Sequence, residues 1–170
     1  MKFTLSLLFI LVAGIVSAQK NTPPTDAVAI SGKVKQEYTF SLTNSAGFST
    51  IAIDSIVIYN HLMEPKRTIR KIKGILLTEI LSKAGLAEDK PKLFSEFYFT
   101  CIGADGYKVV FSWNEIYNTE VGKKVILVTE EDGKPVSVSP NRISVLSASD
   151  KATGRRFVHN LQTIEVERVR

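Results

Sequence analysis

Apolar residues along most of this chain return at every second position, not at every third or fourth. In residues 37–42, Tyr38, Phe40 and Leu42 point one way, and residues 27–34 alternate in the same manner. A two-residue period puts one face of an extended strand into a core and leaves the other in water. Residues 50–59 are rich in Ile and Val, and residues 67–72, 94–102, 107–111, 123–129, 143–146 and 157–166 read as further strands. Turn chemistry separates them: Thr43-Asn44-Ser45-Ala46-Gly47, a loop at 60–65, and the Asp105-Gly106 hairpin dipeptide. The four consecutive apolar residues Val125, Ile126, Leu127 and Val128 mark a strand buried on both faces.

Helical spacing is clearest in residues 74–86. There Leu76 or Leu77, Ile80, Leu81 and Ala84 share a face, and Gly85 stands where a left-handed cap belongs. Ser112 and Glu115, three residues apart, form the pattern of a capping box before a short helical turn. Strands outnumber helices, and the helices are short insertions. The expected class is α+β, with mixed or antiparallel sheets and short helices.

The N-terminus carries a different message. Lys2, the apolar run of residues 5–16 and the small residues Ser17 and Ala18 read as a signal peptide over 1–18. The run is too short to span a bilayer, which takes about 20 residues, and it holds no cysteine to acylate. Residues 19–26, with Pro23 and Pro24, read as a flexible tether, and 27–170 as one domain. The expected location is periplasmic or secreted, of Gram-negative type, with no stable membrane span after cleavage.

The net charge is +5, and the basic residues are scattered except for the run at 66–73. Export and the interruption of that run by Thr68, Ile69 and Ile72 argue against a nucleic-acid reader. A solvated strand face fits better, with an anionic ligand or membrane surface as the other partner class. The lone cysteine, Cys101, excludes an internal disulfide, so core burial must hold the fold. His61 and His159 lie too far apart for zinc-ligand spacing. Glu130, Glu131 and Asp132 are adjacent at a turn and lack the alternation of a calcium loop. A nucleophile elbow and a phosphate-cradling glycine loop are both missing.

Three segments together carry a resemblance. The first is Gly74-Ile75-Leu76-Leu77-Thr78-Glu79-Ile80-Leu81 with Ala84-Gly85-Leu86. The second is Ala104-Asp105-Gly106-Tyr107 with Val109, Phe111-Ser112 and Glu115-Ile116. The third runs from Val125-Ile126-Leu127-Val128 through Asp132-Gly133-Lys134-Pro135, Arg142-Ile143, Asp150 and Arg156-Phe157-Val158 to Ile164-Glu165-Val166. Their order and spacing resemble the oxidoreductase molybdopterin-binding domain, the sulfite oxidase-like fold, over residues 28–166.

The resemblance implies a single cysteine, before the helix, that binds molybdenum as thiolate. The corresponding stretch here is Ile56-Val57-Ile58-Tyr59-Asn60-His61-Leu62, without cysteine. Phenol, amide and imidazole do not replace a soft anionic sulfur. Cys101 matches a strand position elsewhere and reads as a small buried residue. The resemblance also implies an anion-holding cleft, to which Tyr59, His61, Arg142 and Arg156 are the candidate contributors.

Three accounts follow. The first is a binding module that keeps the fold without the cofactor and takes a small anionic ligand or a partner protein; no cofactor is expected. The second is a periplasmic molybdopterin-dependent oxidoreductase that transfers oxygen to or from an oxyanion or sulfoxide. The third is an envelope structural or assembly protein that pairs through an exposed strand edge.

Overall fold

Strand β7 (Val125–Glu131) lies where two hydrophobic cores meet, and its four apolar residues are all buried. Alternation sends Val125 and Leu127 to one side and Ile126 and Val128 to the other. In this computed structural model, which describes residues 22–169, the rest of the chain is organised around that strand. The expected signal peptide and residues 19–21 of the expected tether lie outside the described residues.

The elements before β7 are β1 (Ala27–Gly32), β2 (Tyr38–Ser41), β3 (Thr50–Tyr59), β4 (Pro65–Leu76), helix α1 (Leu77–Ala84), β5 (Phe97–Gly103), β6 (Lys108–Ser112) and helix α2 (Trp113–Asn118). After it come β8 (Lys134–Pro135), β9 (Ser144–Ser147), β10 (Phe157–Val158) and β11 (Leu161–Arg168). Among the described residues the strands form two sheets. One is five-stranded, in the order β2-β1-β11-β5-β6, and the other runs β10-β9-β7-β4-β3 with β8 paired to β7. The β1–β11 pair is parallel and the other pairs are antiparallel. The architecture is α+β, strand-rich and mixed, as the alternation predicts.

The first core is built by both sheets. Phe40, Phe99, Phe111 and Ile164 from one meet Ile75, Leu127 and Val145 from the other, closed by Leu77, Ile80 and Leu81 of α1. The second core is built mainly by the second sheet, with Ile69, Ile72, Ile126, Leu146 and Phe157, and is joined by Val136 of the turn after β8. Ile69 and Ile72 are three apart, so strict alternation would put them on opposite faces. A kink resolves this. Lys71 adopts φ 46°, and Arg70 donates its N–H to Asp132 Oδ1 at 2.8 Å. Both isoleucines then enter the same core, and Arg70 and Lys71 stay exposed.

Three local expectations are corrected. The helix starts at Leu77, not at residue 74, because Gly74 to Leu76 extend β4 alongside β7. Gly74 is there for close approach: a Cβ on it would lie 2.6 Å from the Leu127 carbonyl oxygen. Residues Pro91–Glu96 form a 3-10 turn, so β5 begins at Phe97. Lys123 and Lys124 likewise belong to a 3-10 turn that precedes β7. The capping box stands as expected: Glu115 N–H donates to Ser112 Oγ at 3.1 Å, and Ser112 N–H donates to Glu115 Oε2 at 3.0 Å. The last two residues of the expected tether are held in place. Thr25 N–H donates to the Arg142 carbonyl, and Asp26 pairs with Arg142.

Candidate functional site

The C-terminal end of β3 and the turn that follows form one wall of a cavity. Asn60 organises this turn with its side chain. Its Oδ1 accepts the N–H groups of Leu62 and Glu64, both at 2.9 Å, and its Nδ2 donates to Glu64 Oε2 at 2.8 Å. These bonds hold Met63 at φ 61°, in the left-handed region that a long side chain seldom adopts.

The opposite wall is the 3-10 turn Thr153–Arg156. Thr153 clamps the outer edge of β3, donating its hydroxyl to the Val57 carbonyl at 2.8 Å and accepting the Tyr59 N–H at 2.9 Å. Gly154 passes so close that a Cβ would meet the Tyr59 carbonyl oxygen at 2.7 Å. Tyr107, from the β5–β6 hairpin, closes the third side by donating its hydroxyl to the Arg155 carbonyl at 2.6 Å. The resulting cavity is about 300 Å³, and Tyr59, His61, Lys66, Tyr107 and Arg155 provide its polar lining.

Two of the four expected site residues are thus brought together: Tyr59 and His61. The other two are engaged elsewhere. Arg142 donates Nε to Asp26 Oδ1 at 2.6 Å and Nη1 to the Ser139 carbonyl. Arg156 turns away from Arg155 and grips Asp150 and Glu115, with its guanidinium 4.4 Å from the centre of the Phe111 ring. The cations at the cavity are instead Lys66, which pairs with Glu64 at 2.9 Å, and Arg155, which has no ion pair among the described residues. Sequence reasoning missed Lys66 and Arg155 as well as Tyr107. Only the position of Lys66, five residues beyond His61 in the same hairpin, pointed toward the site.

A larger trough of about 540 Å³ runs beside Asp54, Lys71 and Glu130 on the outside of the second sheet. It follows from the kink at Lys71, and Lys73 is paired there with Glu130 at 2.9 Å. The smaller cavity brings together more convergent polar groups, from three separate segments of chain, and is the stronger candidate.

Two further groups have structural places. His159 Nδ1 lies 3.0 Å from Ser144 Oγ, which donates to the Asn141 carbonyl at 2.6 Å, so the ring donates from Nδ1. Burial, reinforced by the charge of Arg67, lowers its pKa and keeps it neutral. Cys101 is fully buried in the first core, where burial pushes its thiol up to about 12.

A molybdenum–pterin group would need a protein thiolate at the cavity. The lining offers phenols, an imidazole, an amide and two cations. The only thiol lies inside the first core and is protonated at neutral pH. The donor set therefore does not match that group. Among the described residues no cluster of three or more His, Cys, Asp or Glu stands ready for another metal.

No family model matches the chain, and no curated protein matches it. Among solved structures, it is similar to the sulfane dehydrogenase SoxCD from Paracoccus pantotrophus, with a TM-score of 0.58 at 12% sequence identity. The match covers 82% of this chain and 37% of that one, so the chain spans little more than a third of that protein's length. At this identity the likeness concerns the fold, which is sulfite oxidase-like.

Proposed function

We propose that the chain is an exported binding module that keeps a sulfite oxidase-like fold without its redox cofactor and takes a small anionic ligand in the cavity at the end of β3. The observation that carries this reading is the absence of sulfur where the fold would need it. Ile58, Tyr59, Asn60 and His61 occupy that stretch, and the one cysteine is sealed in the core. Lys66 and Arg155 supply positive charge, Tyr59 and His61 supply hydrogen bonds, and Asn60 fixes the turn that presents them. Arg142 and Arg156 serve the frame outside the cavity, Arg142 through Asp26 and Arg156 through Asp150 and Glu115.

The competing reading is a periplasmic molybdopterin-dependent oxidoreductase, and the fold likeness to a dehydrogenase is what favours it. Metal analysis of the purified protein, combined with pterin fluorescence, separates the two. The expected result is no stoichiometric molybdenum and no pterin. One molybdenum per chain would overturn the proposal.

A further inference from the structure

The turn that lends Asn60 and His61 to the cavity also points two large apolar side chains away from the protein. Leu62 is 64% exposed and Met63 51% exposed. Single exposed apolar residues are ordinary on protein surfaces. An adjacent pair at the tip of a braced hairpin turn is a different arrangement. Asn60 holds the backbone so that neither side chain folds back, and it maintains Met63 in a conformation that costs energy. The tip therefore presents apolar surface to whatever approaches the mouth of the cavity.

Behind that lip the chemistry is polar and cationic. Lys66 pairs with Glu64, whose carboxyl is held below its ordinary value first by Lys66 and then by Asn60, while Arg155 lines the cavity without an ion pair among the described residues. Arg155 thus leaves the cavity one cation outside any ion pair among the described residues, and Tyr59 and His61 add hydrogen-bonding groups. Farther along β4, Arg67 pairs with Glu131 and Lys73 with Glu130, while Arg70 and Lys71 stay exposed. An apolar lip in front of a cationic pocket suits an amphiphile, with its charge inside and its hydrocarbon at the lip. A free inorganic anion would use the pocket and leave Leu62 and Met63 without a role.

We infer that this end of the molecule docks on a bilayer and takes the phosphate-bearing headgroup of an anionic phospholipid, with Leu62 and Met63 seated among the acyl chains. The inference rests on the anionic-ligand reading of the cavity and adds the source of the anion. Helix-mediated spanning is not involved: no helix among the described residues is long and apolar enough to cross a membrane.

The test uses protein purified after expression of the full chain. Its sedimentation is measured with vesicles of phosphatidylcholine alone and with vesicles containing about one-third phosphatidylglycerol, in low and high salt. In parallel, glycerol 3-phosphate is titrated while amide NMR shifts of Tyr59, His61 and Arg155 are followed. The expected result is binding to the anionic vesicles that is at least about tenfold stronger than to the neutral ones and that weakens with salt. The double variant Leu62→Asp/Met63→Asp should lose at least about tenfold in vesicle binding and keep the glycerol 3-phosphate shifts. Lys66→Gln/Arg155→Gln should lose both.

A dye on Met63→Cys gives a second readout, since Cys101 is buried, and its emission should shift to the blue on anionic vesicles only. Shifts with glycerol 3-phosphate but no vesicle binding would overturn the lipid inference and leave the anion-binding module standing. Response to neither probe would overturn both. Vesicle binding unchanged by the Leu62/Met63 double variant would place the membrane contact elsewhere and overturn the inference.

Discussion

Arg156 grips Asp150 with two parallel bonds, Nε to Oδ2 and Nη2 to Oδ1, each 2.7 Å. Both side chains are largely buried, with relative exposures of 22% and 14%, and the third guanidinium nitrogen reaches Glu115 at 2.8 Å. This fork ties the 153–156 turn to the start of α2, and through Glu115 to the Ser112 cap. Replacing Arg156 with alanine would leave two carboxylates without their partner and strip a cation from the Phe111 ring. Thermal or urea unfolding should show a loss of about 2–4 kcal/mol. Arg156→Lys should recover only part of it, because an ammonium cannot reproduce the fork.

The same pair sets an acid limit. Burial alone would raise the Asp150 carboxyl, but the bonds from Arg156 and Ser147 outweigh it and hold the group below its ordinary value of 3.8. The folded state therefore binds fewer protons than the unfolded one near that pH. The contribution of the pair is complete above about pH 4 and is lost as pH falls through the lower, folded value. Unfolding midpoints measured from pH 7 to pH 2 should drop more steeply for the native chain than for Asp150→Asn below that point. Equal slopes would remove Asp150 from the acid response.

Gly74 and Gly106 make a paired prediction. A Cβ on Gly74 would press into the Leu127 carbonyl oxygen at 2.6 Å and the Ile126 side chain at 2.7 Å, with the backbone oxygen unable to yield. Gly74→Ala should cost about 1–3 kcal/mol through overpacking. At Gly106 a Cβ meets nothing within 4 Å, and only the positive φ of 86° opposes it. Gly106→Ala should cost about 1 kcal/mol. Differential scanning calorimetry of both variants checks the order.

Thr153 is the clasp between the two walls of the cavity. Thr153→Val keeps its shape and loses both bonds to β3. Stability should fall by about 1–2 kcal/mol, and the Tyr59 amide should exchange with solvent faster, as hydrogen exchange would record. Thr153→Ser keeps the hydroxyl and should stay close to the native rate.

Cys101 should behave as a packing residue. Its burial and its thiol near 12 leave almost no thiolate at neutral pH. A thiol reagent should label it only after denaturation, at a rate in native buffer lower by about a thousandfold or more. Rapid labelling of the folded chain would contradict its place between Val109 and Ile164.

How much of this was legible in the sequence depends on the range of the interactions involved. Residues 50–59, the central run at 125–128 and the Ser112–Glu115 cap are patterns within a few residues of themselves, and each was readable. The start of α1 was not. Ile75, Leu76 and Leu77 suit either period, and what decides between them is β7 lying against Gly74, some fifty residues away in sequence. The cavity divides in the same way. Tyr59 and His61 were legible because they fall in the stretch where the resemblance implies a metal-binding cysteine. Tyr107 and Arg155 reach the site only through the pairing of strands far apart in the chain, and nothing local tells Arg155, at the cavity, from Arg156, in the frame.

The position of β7 bears on how the molecule comes apart. A strand with one set of side chains in each core is a party wall: neither compartment can be emptied while the other stays intact. Denaturation should accordingly run as one concerted event, without a half-melted species in which the cavity end has dissolved and the helix-covered end survives. The cavity thus inherits its rigidity from side chains that never touch it.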